Sequence, residues 1–229
     1  MHTRFEVPVE TVDKWERAWT RRDSAGHRAD SPEFYRACAQ ELRILFGETS
    51  PKRVLEIGCG NGVLFEFLGF EDAQYKGVDF SPSLLAQFKS NHTNVELECG
   101  EGSSYRDAEN KYDLIFSNEV VQYFDLPMLD RHFARARAMM HKDSVLVCAA
   151  IPWRLHRAHY DSGRFSETLS PSLLGAAKAK LARTLRGDSI GRWYELDEIT
   201  SLAKKHAFSC EFYGSMFYFY RFHVALRVK

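Results

Sequence analysis

The sequence predicts an α/β fold, a mainly parallel sheet with helices on both faces. Three observations predict it. Short apolar runs alternate with segments of helical period through the middle of the chain. The first run, Val54-Leu55-Glu56-Ile57, leads directly into Gly58-Cys59-Gly60-Asn61-Gly62. The second, Gly77-Val78-Asp79-Phe80-Ser81, closes on an acid. A glycine turn after one strand and an acid after the next suit a sheet that binds a ligand at its carboxyl edge.

The elements follow in order. Residues 5–22 form a short preamble with Trp15 and Trp19 one helical turn apart. Ser31-Pro32-Glu33 opens a helix, with proline in the first turn. Phe34, Cys38, Leu42 and Leu45 then give that helix one apolar face. Strands are expected at 53–57, 75–79, 95–98, 112–116 and 144–150, and helices at 61–67, 82–88 and 127–140. Ser81-Pro82 is a capped helix start. Residues 156–192 break the rhythm with polar residues, glycines and a basic stretch near 178–186. They read as an insertion containing helix around 172–185, either a surface excursion or a lid over a substrate. A helix at 195–206 and strands near 208–213 and 216–226 complete the pattern, with Tyr213-Gly214-Ser215 turning between the strands. The whole reads as one domain over 1–229, with an N-terminal helical cap at 1–50 and the insertion at 156–192.

Acidic and basic residues balance at 31 each, so no net charge draws the chain toward nucleic acid or an anionic membrane. Cys38, Cys59, Cys99, Cys148 and Cys210 are scattered, odd in number and without metal-ligand spacing. Small buried hydrophobes in a reducing cytoplasm explain them better than a disulfide framework does. Charges interrupt residues 1–19, which removes a signal-peptide reading, and no apolar run reaches membrane-spanning length. No compact cluster calls for a metal.

A glycine-rich loop after a strand also suits nucleotides and phosphates. A phosphate loop wants Gly-Lys-Ser/Thr at its end, whereas Gly62 is followed by Val63 and Leu64. A dinucleotide site remains a rival, because an acid about twenty residues on binds ribose in either case. Glu56 tips the balance, since a carboxylate two residues before the first glycine faces a pyrophosphate badly. With Asp79 and the Gly100-Glu101-Gly102-Ser103 segment, these residues resemble the cofactor site of class I S-adenosylmethionine-dependent methyltransferases. The nearest likeness is to bacterial small-molecule members. The resemblance implies a Rossmann-like seven-stranded mixed sheet of order 3-2-1-4-5-7-6, with the last two strands as an antiparallel hairpin.

The resemblance also implies site roles. S-adenosyl-L-methionine would pass beside Gly58, Cys59 and Gly60, with Glu56 organising its sulfonium-bearing part. Asp79 would accept both ribose hydroxyls, a task for a bidentate acceptor. Phe80 lies against adenine or joins the core. Glu101 meets the exocyclic amine of adenine or lies in a solvent-facing turn, with Gly102 adding backbone contact. Ser117 and Asn118 end the fourth strand beside the cofactor. Asn118-Glu119 lacks the Pro-Pro-aromatic continuation of enzymes that methylate nucleic-acid amines. Tyr123 stands where many small-molecule members carry histidine. Arg36 pairs with the cofactor carboxylate or faces solvent, and Tyr35 is a weaker candidate. The expected reaction is methyl transfer to an oxygen or nitrogen of a small metabolite. Tyr123, Glu119 and His156, with His159 behind them, are the candidates to orient the acceptor or take its proton. Rival readings are a nucleic-acid or protein methyltransferase, a nucleotide-cofactor oxidoreductase, and a non-catalytic binding module. The assembly is expected to be a monomer or homodimer.

Overall fold

The computed structural model describes residues 32–47, 50–162 and 190–229. Trp15, Trp19 and the helix expected around 172–185 lie outside these residues. The first described element is α1 (Pro32–Phe46). Of the expected apolar face, Leu42 and Leu45 are buried, together with Ala39 and Phe46, while Phe34 and Cys38 are half-buried.

The sheet is built from β1 (Val54–Ile57), β2 (Tyr75–Asp79), β3 (Glu96–Cys99), β4 (Tyr112–Asn118), β5 (Met140–Pro152), β6 (Phe208–Gly214) and β7 (Arg221–Val228). Its order is β3-β2-β1-β4-β5-β7-β6. The first five strands pair in parallel, and β7 runs antiparallel to both β5 and β6. This is the order the resemblance implies. Helices α2 (Phe65–Leu68), α3 (Pro82–Asn91), α4 (Leu126–Met139), α5 (Arg157–Asp161) and α6 (Leu196–Lys205) complete the described fold.

Alternation along each strand builds two cores. Val54, Leu114, Phe116, Val145, Val147 and Ala225 pack with residues of α1, α2 and α3 on one face. Leu55, Ile57, Ile115, Leu146, Val224 and Leu226 pack with residues of α4 and α6 on the other. Both faces are covered, which is why the strands read as continuous apolar runs. The edge strand β3 is the exception. Its Glu96 and Glu98 are exposed and both pair with Lys76 of β2 at 2.8 Å. Charges of this kind discourage edge-to-edge association.

Caps set the helix starts. The Ser81 hydroxyl accepts the Leu84 N–H, with Pro82 in the first turn of α3. Asp125 accepts the Met128 N–H at 2.7 Å at the start of α4. Glu195 and Glu198 form a capping box on α6.

Three expected elements need correction. The helix expected at 61–67 begins only at Phe65, because Gly62 takes a left-handed φ of 81° and donates back to the Cys59 carbonyl. The last strand begins at Arg221, not at 216. The Ser215 hydroxyl accepts the N–H groups of Phe217 and Tyr218, and Arg221 N–H closes on the Tyr218 carbonyl. Those bonds make the aromatic run a turn, while Tyr213 and Gly214 belong to β6. The cysteines are also more varied than expected. Cys59 and Cys148 are buried, Cys38 and Cys210 are half-buried, and Cys99 is exposed.

Candidate functional site

β1 delivers the glycine loop to the carboxyl edge of the sheet. The Gly58 and Cys59 N–H groups both donate to the Val78 carbonyl of β2, at 2.7 and 3.2 Å. The turn is thereby tied to the neighbouring strand. Gly58 has φ 77°, and a Cβ there would lie 2.2 Å from the Val120 side chain. Gly60 has φ 55°, and a Cβ there would meet no atom within 4 Å. One glycine is required by packing inside the chain. The other leaves an open approach to its backbone.

Asp79 sits beside that opening. One carboxylate oxygen accepts the Gly60 N–H at 2.9 Å and the other accepts the Ser81 N–H at 2.9 Å. Burial pushes its pKa up, opposed by backbone N–H bonds from Ser81, Gly60 and Phe80. Three backbone N–H groups bear on a carboxylate with about four acceptor positions, so it keeps acceptor capacity for a ligand's hydroxyl.

Glu56 is more deeply placed. It is 3% exposed and accepts the phenol O–H of Tyr75. Burial pushes its pKa up to about 8; the Tyr75 bond opposes this and the Asp79 charge adds to it. Among the described residues its named electrostatic neighbours are a phenol and a second carboxylate, and none is a side-chain cation. A cationic ligand would supply the missing charge. Cys59 is buried, and desolvation with the charges of Glu56 and Asp79 raises its thiol well above the ordinary range. That disfavours a thiolate nucleophile.

The segment after β3 folds upon itself. Glu101 accepts both the N–H and the hydroxyl of Ser103 at 2.7 Å. His132 of α4 donates through Nδ1 to the Gly102 carbonyl at 3.0 Å. Burial lowers the pKa of His132, and its Nε2 is buried without a hydrogen-bond partner. A Cβ on Gly102 would lie 2.6 Å from Ile57. Phe80 is half-buried, and its carbonyl accepts the Cys99 thiol.

β4 carries Ser117, fully buried, and Asn118, half-buried, to the same edge. Glu119 follows with φ 58°, and its carboxylate lies 3.5 Å from Arg221 Nη2. Tyr123 ends a 3-10 turn at Val121–Tyr123. His156 ends another at Arg154–His156, edge-on to the Trp153 ring at 5.0 Å. Tyr160, Trp193, Tyr218 and Tyr220 form an aromatic group nearby, with Tyr160 and Tyr220 ring centroids 4.7 Å apart.

In sequence position, each expected residue except Arg36 lies on or follows the carboxyl end of one of β1 to β5. Arg36 lies on α1, exposed, with its guanidinium over the Phe67 ring. Sequence reasoning missed Tyr75, His132, Arg221 and Glu41. Tyr75 begins the strand that Asp79 ends, and aromatic strand starts are too common to signal a contact with Glu56. Arg221 and His223 did leave a signal. They are polar residues at alternate positions of β7 and, unlike its third polar residue Arg227, both are buried.

The comparisons agree with this geometry. The family described as "Methyltransferase domain" matches residues 54–143. A malonyl-[acyl-carrier protein] O-methyltransferase from Bacillus cereus is 35% identical over 88 residues, 37% of this chain and 32% of that protein. A ubiquinone biosynthesis O-methyltransferase from Azorhizobium caulinodans is 30% identical over 118 residues, 49% of this chain and 44% of that protein. The chain thus spans less than half the length of these relatives. A solved S-adenosylmethionine-dependent methyltransferase from Clostridium acetobutylicum shares the fold at TM-score 0.61 and 13% identity, over 94% of this chain and 98% of that one. Magnesium protoporphyrin IX methyltransferase from Synechocystis, solved with bound SAH, does so at TM-score 0.57 and 14% identity, over 95% and 94%. The sheet order and the match over residues 54–143 make this chain similar in fold, and in that region in sequence, to S-adenosylmethionine-dependent methyltransferases.

Proposed function

We propose that the protein binds S-adenosyl-L-methionine and catalyses methyl transfer to an oxygen or nitrogen of a small metabolite. The observation that carries this reading is the juxtaposition of Gly60, Asp79 and Glu56. Gly60 leaves its face open, Asp79 retains acceptor capacity beside it, and Glu56 is a buried acid with no cation named beside it among the described residues. A ligand with ribose hydroxyls and a positive centre fits all three.

In this reading Asp79 holds the ribose, Gly58, Cys59 and Gly60 line the backbone approach, and Glu56 faces the cationic part. Glu101, Gly102, Phe80, Ser117 and Asn118 bound the remaining cofactor side. Glu101 must turn from Ser103 to reach an adenine amine, while Gly102 stays fixed by His132. Arg36 would have to leave Phe67 to meet the cofactor carboxylate. The bound cofactor supplies an electrophilic methyl carbon on its sulfonium. The chain's own task is then to hold an acceptor heteroatom in line with that carbon, where orientation is worth about 7–11 kcal/mol in favourable cases. Tyr123 orients through its hydroxyl, and Glu119 or His156 takes a proton where the acceptor must lose one.

Residues 1–50 and 156–192 are proposed as cap and acceptor wall of a single domain. The O-methyltransferase names among the relatives support oxygen as the acceptor atom. Among the described residues, no helix is long and apolar enough to cross a membrane. Balanced charge and an odd number of scattered cysteines support a cytoplasmic setting. Incubation with methyl-labelled donor and a metabolite extract tests the reading. Label should appear in one small product. Label confined to added RNA or protein would move the protein to another acceptor class. Donor binding without transfer to any acceptor would leave a binding module.

A further inference from the structure

The ends of β4 and β5 share an unusual feature. Glu119 and Ala150 are non-glycine residues with left-handed backbones, at φ 58° and 56°. Such conformations persist only where their surroundings impose them. Here one buried side chain touches both. Arg221, 5% exposed at the start of β7, donates through Nη1 to the Ala150 carbonyl at 2.6 Å. Its Nη2 lies 3.5 Å from the Glu119 carboxylate. The guanidinium is backed by the rings of Tyr218 and Tyr220, 5.1 and 5.3 Å from their centroids. It is therefore confined as well as paired.

Ala150 is held from its other side too. Its N–H donates to Nδ1 of His223 at 3.0 Å. With Nδ1 accepting, a neutral His223 carries its proton on Nε2, which faces the Glu41 carboxylate of α1 at 3.2 Å. Both polar backbone groups of Ala150 are thus bonded by alternate side chains of β7. The β5–β7 register shifts at this place, between Cys148 and Ile151. Side chains supply what the regular ladder would otherwise supply there.

We propose that Arg221 is a positioning residue for methyl transfer, fixing the β4 and β5 ends at which the acceptor is held. This rests on the methyltransferase reading. In an open α/β sheet those strand ends border the ligand crevice. Arg221 acts through Glu119 and the turn at Ala150 and need not touch substrate. A planar fork serves two separate partners at once, which a lysine ammonium does less well. The cofactor half, built on β1 and β2, contains no contact with Arg221 among the interactions described. Its loss should therefore separate acceptor geometry from cofactor binding.

Arg221→Met and Arg221→Lys in the full chain test this. Cofactor binding is read by calorimetry with S-adenosylhomocysteine. Strand-end order is read by hydrogen exchange of peptides spanning residues 119 and 150. Transfer is read with labelled donor and the acceptor that the wild-type protein methylates in extract. A misplacement on the order of 1 Å can lower rate about 100-fold. The expected result for Arg221→Met is faster exchange at both strand ends, kcat down about 100-fold, and KM and product affinity within about threefold of wild type. Arg221→Lys should recover part of kcat. If the methionine variant does not fold, the lysine variant carries the test by the same split. Unchanged exchange with wild-type kcat would overturn the proposal. So would a loss of cofactor affinity in step with kcat. A wild-type protein that binds S-adenosylhomocysteine yet methylates nothing would instead overturn the underlying reading, and this proposal with it.

Discussion

Replacing Glu56 with Gln should change how cofactor binding depends on pH. In the ligand-free protein the carboxyl titrates near 8, raised chiefly by burial. At neutral pH it is therefore mostly protonated. A sulfonium or ammonium beside it favours the ionised form, so binding expels a proton below pH 8. In the limit that only ionised Glu56 binds well, affinity falls about tenfold, or ~1.4 kcal/mol, for each pH unit below 8. The slope should be steeper for S-adenosylmethionine than for S-adenosylhomocysteine, which lacks the sulfonium charge. Glu56→Gln should flatten the Glu56 contribution while leaving any titration of the ligand itself. Calorimetry between pH 6 and 9 in buffers of different ionisation heat reads both affinity and proton release. Stability supplies a second check. A carboxyl raised from 4.5 to about 8 adds stability that is fully present below 4.5 and is lost as pH rises through 8. The gap between 4.5 and about 8 sets an upper bound of about 5 kcal/mol. The ligand-free Glu56→Gln protein should therefore melt higher than wild type at pH 8.5 and show less difference at pH 5. Parallel affinity profiles for wild type and variant, with no difference in proton release, would refute the charge-compensation reasoning.

Gly60→Ala should fold with a modest penalty of about 1–2 kcal/mol for its left-handed backbone and should bind the cofactor poorly, since the added methyl enters the open face. Gly58→Ala should instead lose stability outright, because its Cβ meets Val120 at 2.2 Å; thermal melts and calorimetry on the pair separate the two roles. Asp125→Ala should cost about 1 kcal/mol in a denaturation curve, by removing the cap of α4, and leave cofactor affinity unchanged.

The glycine-loop end of the sheet was readable because its signals are local. A strand, three glycines and an acid ending the next strand need only short-range pattern, and the structure brings Glu56, Gly60 and Asp79 to one edge. Sheet order was not readable from periodicity; it came from the resemblance. The start of β7 was misplaced because residues 216–220 are as aromatic as a strand, while the Ser215 hydroxyl bonds that curl them leave no mark in hydropathy. The ends of β4 and β5 were least readable. Glu119 stood out as a candidate base by its place after β4, yet its ion pair with Arg221 joins residues far apart in the chain. The same is true of Glu41 and His223, which link α1 to β7. Long-range pairs of this kind become visible only once the strands are assembled.

Calorimetric titration of the folded protein with S-adenosylmethionine, repeated on Asp79→Ala, tests the central claim most directly. The site built from Gly60, Asp79 and Glu56 predicts one saturable site per chain, markedly weakened in the variant while its fold persists. No binding of the adenosyl compound, or equal affinity in both proteins, would contradict it.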